Sequence, residues 1–175
     1  MGKRKVSIFS VLVLIVGLSG LGLGVYSLYR IESPKPLARA FVSSGFSVLD
    51  SNWTVVNFDV VDYDVTSDFN IVTDTFICPT SGNYLISGRV TFVIMLDGEA
   101  FWVGVFREDI MVVESSVYGH STVSLSTNFA DIVYLNAGNY VEVRVYHTGS
   151  FSRSIYGNTD GTYTYITIAA TDILN

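Results

Sequence analysis

From residue 38 onward, polar and apolar residues alternate in short runs that are separated by turn-forming residues. The stretch YVEVRVY, residues 140–146, places three valines on one face of an extended chain and Glu142 and Arg144 on the other. Such runs recur about every 8–12 residues, with Gly, Asn, Asp or Ser between them. No stretch in this part of the chain keeps a helical period. The pattern predicts an all-β sandwich or jelly roll over residues 38–175.

The stretch DTFICPTSGNYLISGRV contains the one cysteine of the chain and bears on whether the protein is catalytic. Its pattern predicts a strand over Asp74–Cys78 that ends at Pro79. A turn at Ser81-Gly82 and a second strand over Asn83–Val90 follow. No Lys or Arg closely precedes Cys78 and no His lies nearby to lower the pKa of its thiol. We therefore expect a buried, unreactive thiol, and a single cysteine excludes an internal disulfide.

An uncharged apolar run of 24 residues, Val6–Tyr29, precedes the alternating region. A helix of this length, at about 1.5 Å per residue, exceeds the roughly 30 Å of a hydrocarbon core. A cleaved signal peptide has an apolar region of about 7–15 residues, and the one Ala-x-Ala sequence, Ala38–Ala40, lies well beyond the run. We therefore predict a retained transmembrane helix over residues 6–29, in contact with the lipid bilayer. A cleaved N-terminus and a secreted domain are the alternative.

The charges around this run predict its orientation. Three basic residues lie in the segment 1–5, and two, Arg30 and Lys35, follow the run, so the positive-inside rule places the N-terminus in the cytoplasm. Residues 30–37 contain two prolines and form a short extended tether. The expected protein is a single-pass cell-membrane protein whose domain, residues 38–175, lies outside the cell.

Small residues recur within the apolar run at spacings that place them on one helical face. Close packing over such residues drives helix association in lipid, so this face could pair with its copies, although glycine is also common in membrane helices. The residues are Ser10, Gly17, Gly20, Gly24 and Ser27.

The charge of the predicted exterior part restricts the classes of partner that it is expected to bind. From Glu32 onward there are six basic and sixteen acidic residues, a net charge of −10. Such a surface argues against nucleic acid and anionic lipid as partners of the domain. It suits cations or a basic partner, and it also keeps an exported domain soluble.

Several motifs of the exterior part resemble the globular-head domain of complement C1q, in the C1q/TNF-like superfamily. The strongest is Phe76-x-x-Pro79-x-x-Gly82-x-Tyr84, which has the spacing of the family signature. The Ala-Phe pair at Ala40, the stretch LNAGNYVEV and the closing strand after Tyr163 are also similar, so that the resemblance covers about Ala40–Leu174. It implies a ten-strand jelly roll, a compact homotrimer, and a role in binding or assembly without catalysis.

The chain departs from the family pattern at a few positions. Asp74 stands where a glycine is common, and Asn139 replaces the usual aspartate of the Leu-x-x-Gly-Asp motif. Thr167 and Ile168 replace the closing Gly and Phe. These replacements keep the alternation on which the fold prediction depends, whereas Asn139 removes a carboxylate from any cation site of the family.

Metal and catalytic motifs are weak. Asp59, Asp62 and Asp64 could offer hard oxygen ligands to calcium, but a solvated acidic rim is the favoured interpretation. The two histidines, His120 and His147, do not form the His-x-His pair of a jelly-roll metal site, and no Gly-x-Ser-x-Gly sequence is present. We therefore predict no enzyme activity, and no cofactor other than a possible calcium ion.

Two further sets of residues are candidate surface sites. Asn52-Trp53-Thr54 is a glycosylation sequon on the predicted exterior side. The last third of the chain is rich in tyrosine, whose ring can be buried at a subunit contact while its hydroxyl finds a partner. The candidates for a trimer interface are Tyr134, Tyr146, Tyr163 and Tyr165.

Together these features predict a membrane-anchored, trimeric, extracellular C1q-like module that binds an extracellular protein, a glycan or neighbouring copies. The principal alternative is a pilin-like filament subunit, because pilins also join an apolar N-terminal helix to a β-domain. No prepilin-type cleavage site followed closely by a glutamate is evident in residues 1–33.

Overall fold

Strands that are distant in sequence pair with one another in this fold, beginning with the first strand, which pairs with the last. The computed structural model describes residues 34–120 and 123–173, which form thirteen strands and no helix. In this described part, therefore, no helix could cross a membrane. The predicted cytoplasmic tip, the transmembrane helix with its small-residue face, and the tether up to residue 33 lie outside the described residues.

The strands range from two to fourteen residues in length. In chain order they are β1 (Leu37–Phe41), β2 (Phe46–Val48), β3 (Thr54–Val55), β4 (Val60–Asp64), β5 (Phe69–Asn70), β6 (Thr75–Ile77), β7 (Gly82–Met95), β8 (Ala100–Arg107), β9 (Ile110–Tyr118), β10 (Val123–Leu135), β11 (Tyr140–His147), β12 (Arg153–Ile155) and β13 (Tyr165–Ile173).

The strands form two antiparallel sheets. The seven-stranded sheet has the order β2-β12-β7-β13-β1-β4, with β10 paired along the other edge of β7. The six-stranded sheet has the order β5-β6-β11-β8-β9, with β3 paired to β11. The predicted all-β sandwich is confirmed as a jelly-roll-like pair of sheets. The described residues contain thirteen strands where ten were predicted, because five of these strands are segments of only two or three residues.

The core lies between the two sheets and is built by the alternation. On β11 the valines at 141, 143 and 145 are buried, as predicted, and on β7 Tyr84, Ile86 and Phe92 point into the same core. Each fully buried apolar side chain of this size contributes about 1.5–3 kcal/mol to stability. Glu142, on the other face of β11, is also buried, because it pairs with its neighbour Arg144.

The segment around Cys78 crosses from one sheet to the other. It connects β6 in the six-stranded sheet with β7 in the seven-stranded sheet. Cys78 is 1% exposed, its Sγ lies 3.2 Å from the carbonyl oxygen of Thr80, and burial raises the pKa of its thiol. The Tyr84 hydroxyl donates to the same carbonyl at 2.6 Å. The prediction of a buried thiol is confirmed.

Asp74 has a backbone conformation that explains why glycine is common at this position. Its φ is +56°, in the left-handed region that asparagine and aspartate tolerate better than most residues. Its carboxylate accepts the Phe58 backbone N–H at 2.8 Å. Burial raises the pKa of Asp74 to about 6, while the bond from Phe58 opposes this rise and the nearby Glu142 and Asp59 add to it.

Replacing Asp74 by asparagine is expected to stabilise the folded chain above pH 6. The raised pKa means that the wild-type protein loses stability as the pH rises from about 4 to about 6, since only the folded state holds the proton there. Asparagine keeps the left-handed conformation and the acceptor for Phe58. Solvent screens this partly exposed group, so the gain is about 1 kcal/mol rather than the about 3 kcal/mol of the full shift.

Urea unfolding of the wild-type protein and the Asp74→Asn variant between pH 3 and pH 8 measures the difference between their free energies of unfolding. It should be near zero below pH 4, should grow between pH 4 and pH 6, and should then stay constant. An Asp131→Asn variant, at an exposed position of β10, is the control for charge alone. A difference that does not depend on pH would contradict the assignment.

The strand directions define two ends of the sandwich. Leu37 pairs with Ala169, beside the beginning of β7, so the chain enters the fold at that end. β7 then runs fourteen residues, roughly 43 Å at about 3.3 Å per residue, to the opposite end. We call this opposite end, formed by the loops 49–53, 96–99 and 148–152, the distal end.

Candidate functional site

The outer face of the seven-stranded sheet carries exposed apolar side chains, and we call it the tyrosine face. Ile132 on β10 lies opposite Leu85 on β7, and their side chains are 58% and 38% exposed. Tyr134 follows on the same face of β10. Tyr156 and Tyr163 are also exposed, and their ring centroids lie 4.5 Å apart in an edge-to-face contact. In a single subunit all these side chains are in contact with water.

Arg39 organises the part of the tyrosine face around Tyr165. Its guanidinium lies 4.9 Å from the ring centroid of Tyr165 and 5.8 Å from that of Phe41. It donates to Asp62 at 2.8 Å and to the Gly161 carbonyl at 2.6 Å. The charge is therefore paired, and the cation covers ring surface instead of projecting into solvent.

The four tyrosines predicted for a trimer interface divide between the two sheets. Tyr134 and Tyr165 lie on strands of the seven-stranded sheet, and Tyr163 lies in the loop just before β13. Tyr146 lies on the outer face of the six-stranded sheet, opposite Trp102. Sequence reasoning did not identify Ile132 as a further member of the tyrosine face. Its alternation with the buried Val133 was a signal, but only strand pairing shows which sheet it belongs to.

Four aromatic side chains, one each from β9, β8, β11 and the loop residue just before β3, form an aromatic row across the outer face of the six-stranded sheet. The ring centroids of Tyr118 and Trp102 lie 6.3 Å apart, those of Trp102 and Tyr146 5.4 Å, and those of Tyr146 and Trp53 5.6 Å. Tyr118 is 56% exposed and Trp53 39%, while the two central rings are partly exposed. The row therefore presents aromatic surface to solvent from a rigid sheet.

Gly104 provides the space for the Trp53 end of the row. A Cβ atom at this position would lie 2.7 Å from the Phe106 ring and 3.2 Å from the Trp53 ring. Phe106 in turn contacts Trp53 edge to face, with centroids 5.3 Å apart. Any side chain at 104 would displace one of these rings.

We expect a Gly104→Val substitution to destabilise the domain by about 1–3 kcal/mol, because it overpacks this contact. It should also shift the tryptophan emission to longer wavelength, since the displaced Trp53 ring would be more hydrated. Thermal unfolding and fluorescence measure the two effects. Ser116→Val, an added valine at an exposed position on the neighbouring strand, is the control. Equal behaviour of the two variants would contradict the close packing at Gly104.

An ion network borders the aromatic row. The Arg144 guanidinium lies 4.5 Å from the ring centroid of Phe106 and contacts the carboxylates of both Glu142 and Asp109. The hydrogen bond from Arg144 lowers the pKa of Asp109. One cation against two carboxylates leaves the network with a net charge of −1, and the exposed Glu114 on β9, opposite Gly104, adds a further negative charge to this side of the sheet.

The three calcium candidates have separate partners. Asp59 accepts bonds from the backbone N–H and the hydroxyl of Ser43, Asp62 pairs with Arg39, and Asp64 accepts the Phe69 backbone N–H. Within residues 34–120 and 123–173, no group of three or more His, Cys, Asp or Glu side chains could hold a metal ion. One oxygen of Asp64 is buried without a hydrogen-bond partner.

The remaining candidates lie at or near the distal end. Asn52 is exposed in the loop that precedes β3, and its side-chain amide donates to the Asp50 carbonyl. His147 is fully buried, accepts the Gly149 N–H at Nδ1, and therefore donates from Nε2 to the Val48 carbonyl, 3.2 Å away. A buried ring with both nitrogens bonded to backbone has a structural role.

An open cleft lies between β5 and the end of β6. It has a volume of about 540 Å³ and is lined by residues of the segment 67–71 together with Ile77 and Pro79. Asp68 is its one titratable group, and burial raises the pKa of that carboxyl. The cleft brings no histidine, lysine or cysteine beside Ser67, so it offers no activated nucleophile.

Two antiparallel sheets in this order, joined by a crossing at Cys78, define a C1q/TNF-like fold. The structure is similar to the globular domain of zebrafish complement 1qA, with a TM-score of 0.60 and 15% identity over 80% of this chain and 100% of that chain. It is also similar to the Eiger TNF of S. frugiperda, with a TM-score of 0.63 and 14% identity over 82% and 96% of the two chains.

Murine APRIL is similar at a TM-score of 0.61 and 14% identity, over 78% of this chain and 99% of that one. Identities this low establish the fold alone. No family model and no curated protein matches the sequence. The resemblance inferred from the motif around Phe76 and Pro79 is thus confirmed at the level of the fold.

Proposed function

We propose that this protein is a non-catalytic binding module that assembles as a homotrimer through the tyrosine face. The observation that carries the proposal is the set of exposed apolar side chains on that face, with Ile132, Leu85 and Tyr134 near the beginning of β7 and Tyr156 and Tyr163 near Thr91, six residues further along it. Soluble monomers rarely leave contiguous apolar patches of more than a few hundred Å² in water. Subunit contact would remove this surface from solvent.

The composition of the tyrosine face also suits a subunit interface. Tyrosine is enriched in such interfaces because its ring supplies apolar area while its hydroxyl remains able to bond. Arg39 is paired with Asp62, and Arg89 of β7 donates to the Asn128 side chain. Because the fold is C1q/TNF-like, we expect three copies of the chain to assemble through this surface.

The uncharged apolar run of residues 6–29 supports a membrane anchor, because it is long enough to span a bilayer. Assembly through the tyrosine face would leave the outer face of the six-stranded sheet open to extracellular partners on each subunit. We infer a single-pass cell-membrane protein with its C-terminal domain outside.

The absence of a catalytic arrangement in the described residues favours a binding role. The buried thiol of Cys78 bonds to a backbone carbonyl, and the buried His147 bonds only to backbone groups. Neither group is placed to activate a nucleophile at a solvent-accessible site.

The mass of the full chain, extracted in detergent with an intact N-terminus, tests the proposal. Native mass spectrometry should give three copies, and the mass of each chain should include residues 1–33. Monomers would refute the assembly, and chains cleaved after the apolar run would refute the anchor. Protease treatment of intact cells should digest the domain and leave the N-terminal tip, whereas a protected domain would contradict the orientation.

A further inference from the structure

The outer face of the six-stranded sheet is an exposed surface that assembly through the tyrosine face would leave free. Two members of the aromatic row on this face, Tyr118 and Trp53, are 56% and 39% exposed, and Met111, which lies beside Gly104, is 41% exposed. Tryptophan, tyrosine and methionine are enriched in protein–protein interfaces relative to the rest of the surface. The exposed rings therefore suit a docking surface, and the charges around them decide which partner fits it.

Cations are scarce on this face. Of the six basic residues in the described part of the chain, Arg144 is the one whose side chain lies on it, opposite Gly104 and over the Phe106 ring. Arg107, at the end of β8, instead donates to the carbonyl of Tyr134 in the other sheet. The remaining four lie on the strands of the seven-stranded sheet or just before them, and they are Lys35, Arg39, Arg89 and Arg153.

Carboxylates outnumber this single cation. Arg144 contacts the carboxylates of Glu142 and Asp109, and Glu114 on β9 adds a third carboxylate to the face. One positive and three negative charges give the face a net charge of −2. Glu114 is exposed, and among residues 34–120 and 123–173 its side chain has no ion pair and no hydrogen-bond partner. The charge of the face is therefore not balanced by the subunit itself.

Arg144 shows how a cation is held on this face. Its guanidinium lies 4.5 Å from the ring centroid of Phe106 and donates to the Glu142 carboxylate at 2.6 Å. A cation in this position is attracted by the negative face of the ring and also makes a charge-assisted hydrogen bond to the carboxylate. An aromatic ring beside a carboxylate is thus a site that an arginine or a lysine can occupy.

Glu114 and the Trp53 ring offer the same two groups without a cation. Glu114 lies opposite Gly104, and a Cβ atom at Gly104 would lie 3.2 Å from the Trp53 ring. Residues directly opposite each other on neighbouring strands are about 5 Å apart, so one long basic side chain could contact both groups. Arg144 is engaged by two other carboxylates and makes no ion pair with Glu114.

From this arrangement we propose that the outer face of the six-stranded sheet docks a basic segment of an extracellular partner protein, with an arginine or lysine against Glu114 and the Trp53 ring. A partner that covered the rings without supplying a cation would leave Glu114 desolvated and unpaired. The same face of a second copy, or an acidic partner, would bring carboxylates against carboxylates. The inference rests on the proposed function, because it names the class of partner of that binding module.

Intrinsic fluorescence reports directly on this face, because the two tryptophans of the whole chain, Trp53 and Trp102, both belong to the aromatic row. The experiment uses the full chain in an uncharged polyoxyethylene detergent, from a host without N-glycosylation because Asn52 adjoins Trp53. The probe is a synthetic peptide of alternating arginine and glycine. The same peptide with citrulline in place of arginine keeps the shape of the side chain without its charge. We expect the arginine peptide to change the tryptophan emission in a saturable manner and the citrulline peptide to have little effect.

Glu114→Gln localises the binding, because it removes one charge and keeps the size of the side chain. Calorimetry should show that it weakens binding of the arginine peptide about threefold to tenfold, as expected for one lost charge-assisted contact. Asp131→Asn removes an equal charge from an exposed position of β10 in the other sheet, so it is the matched control and should bind normally. Both substituted side chains are exposed, so thermal unfolding should show that both variants are folded.

The dependence on salt is a second readout. Raising the salt concentration to about 1 M, where the screening length is about 3 Å, should weaken peptide binding. The loss should be larger for the wild type and the Asp131 variant than for Glu114→Gln, which has already lost the contact that salt screens.

Four outcomes would overturn the proposal. The first two are the absence of a saturable emission change with the arginine peptide and equal binding of the arginine and citrulline peptides. The third is equal affinity of the Glu114 and Asp131 variants, which would show attraction to the negative charge of the whole domain. The fourth is a subunit number above three that falls to three in Glu114→Gln, which would place a second copy of the chain on this face.

Sedimentation of the same samples separates this inference from the proposed assembly. Trimers that bind no arginine peptide refute the inference alone, and monomers that bind it with the expected sensitivity to Glu114→Gln refute the trimer alone.

Discussion

Replacing Ile132 by aspartate is expected to convert the trimer into monomers without unfolding the subunit. The side chain is 58% exposed in the single chain, so an aspartate there would be solvated in the monomer. In the proposed interface the same carboxylate would be buried without a partner, three times per trimer. The effective cost of burying an unpaired ion is several kcal/mol, which exceeds what most single interface residues contribute.

Sedimentation equilibrium of the full chain in detergent measures this effect. Ile110→Asp is the control, because Ile110 is 61% exposed on β9 of the other sheet and is not part of the tyrosine face. It should remain trimeric. Thermal unfolding should show that both variants are folded. A trimer that survives Ile132→Asp would exclude this face as the interface, and dissociation of the Ile110 variant would point to the other sheet.

Replacing Arg153 by methionine is expected to cost about 3–5 kcal/mol of stability, because it would leave the buried Glu99 carboxylate unpaired. The two side chains are only 12% and 10% exposed, and Arg153 bonds to both carboxylate oxygens. Glu99 also accepts the Leu96 backbone N–H and so stabilises the turn between β7 and β8. For a domain of this size the loss corresponds to a fall in Tm of about 10 °C.

The dependence on pH has a defined sign. The bond from Arg153 lowers the pKa of Glu99 in the folded protein. The pair therefore contributes its full stability above the pKa that Glu99 has in the unfolded chain. This contribution is lost as the pH falls through the lower pKa that Glu99 has in the folded protein. Arg153→Met should abolish this contribution. Thermal unfolding of the full chain between pH 3 and pH 7 measures both effects.

A double variant and a control make the test specific. Glu99→Gln combined with Arg153→Met should recover much of the loss, since it removes the uncompensated charge. Arg107→Met, which removes an arginine with an exposed bond to the Tyr134 carbonyl, should cost well under 1 kcal/mol. If Arg153→Met behaved like Arg107→Met, the pair would contribute little to stability.

The sequence predicted the parts of the fold that depend on local pattern. The buried valines of β11 and the buried thiol of Cys78 follow from two-residue alternation and from the turn at Ser81-Gly82. The same reasoning placed Glu142 and Arg144 on the face of β11 opposite the valines. It did not predict that Glu142 is buried, because that depends on the ion network in which Arg144 contacts both Glu142 and Asp109, the latter in the turn between β8 and β9.

The candidate sites were harder to predict because they depend on register between distant strands. The sequence shows that Tyr134 and Tyr146 each lie on the face of a strand opposite its buried residues. It does not show that these strands belong to different sheets, so that the two tyrosines face opposite sides of the sandwich. The aromatic row is likewise invisible in the sequence, where Trp53 and Trp102 are almost fifty residues apart.

The sequence by itself determined that the described part of the chain is built from strands and which side chains of each strand turn inward. It also determined that residues 6–29 form an apolar run long enough to span a bilayer. These properties depend on chain geometry and solvation over a few residues. Only the tertiary structure decided which outward faces adjoin, and thus placed Ile132 beside Leu85 and Trp102 beside Tyr146. Strand order and register are set by the packing of the whole core, which no short stretch of sequence specifies.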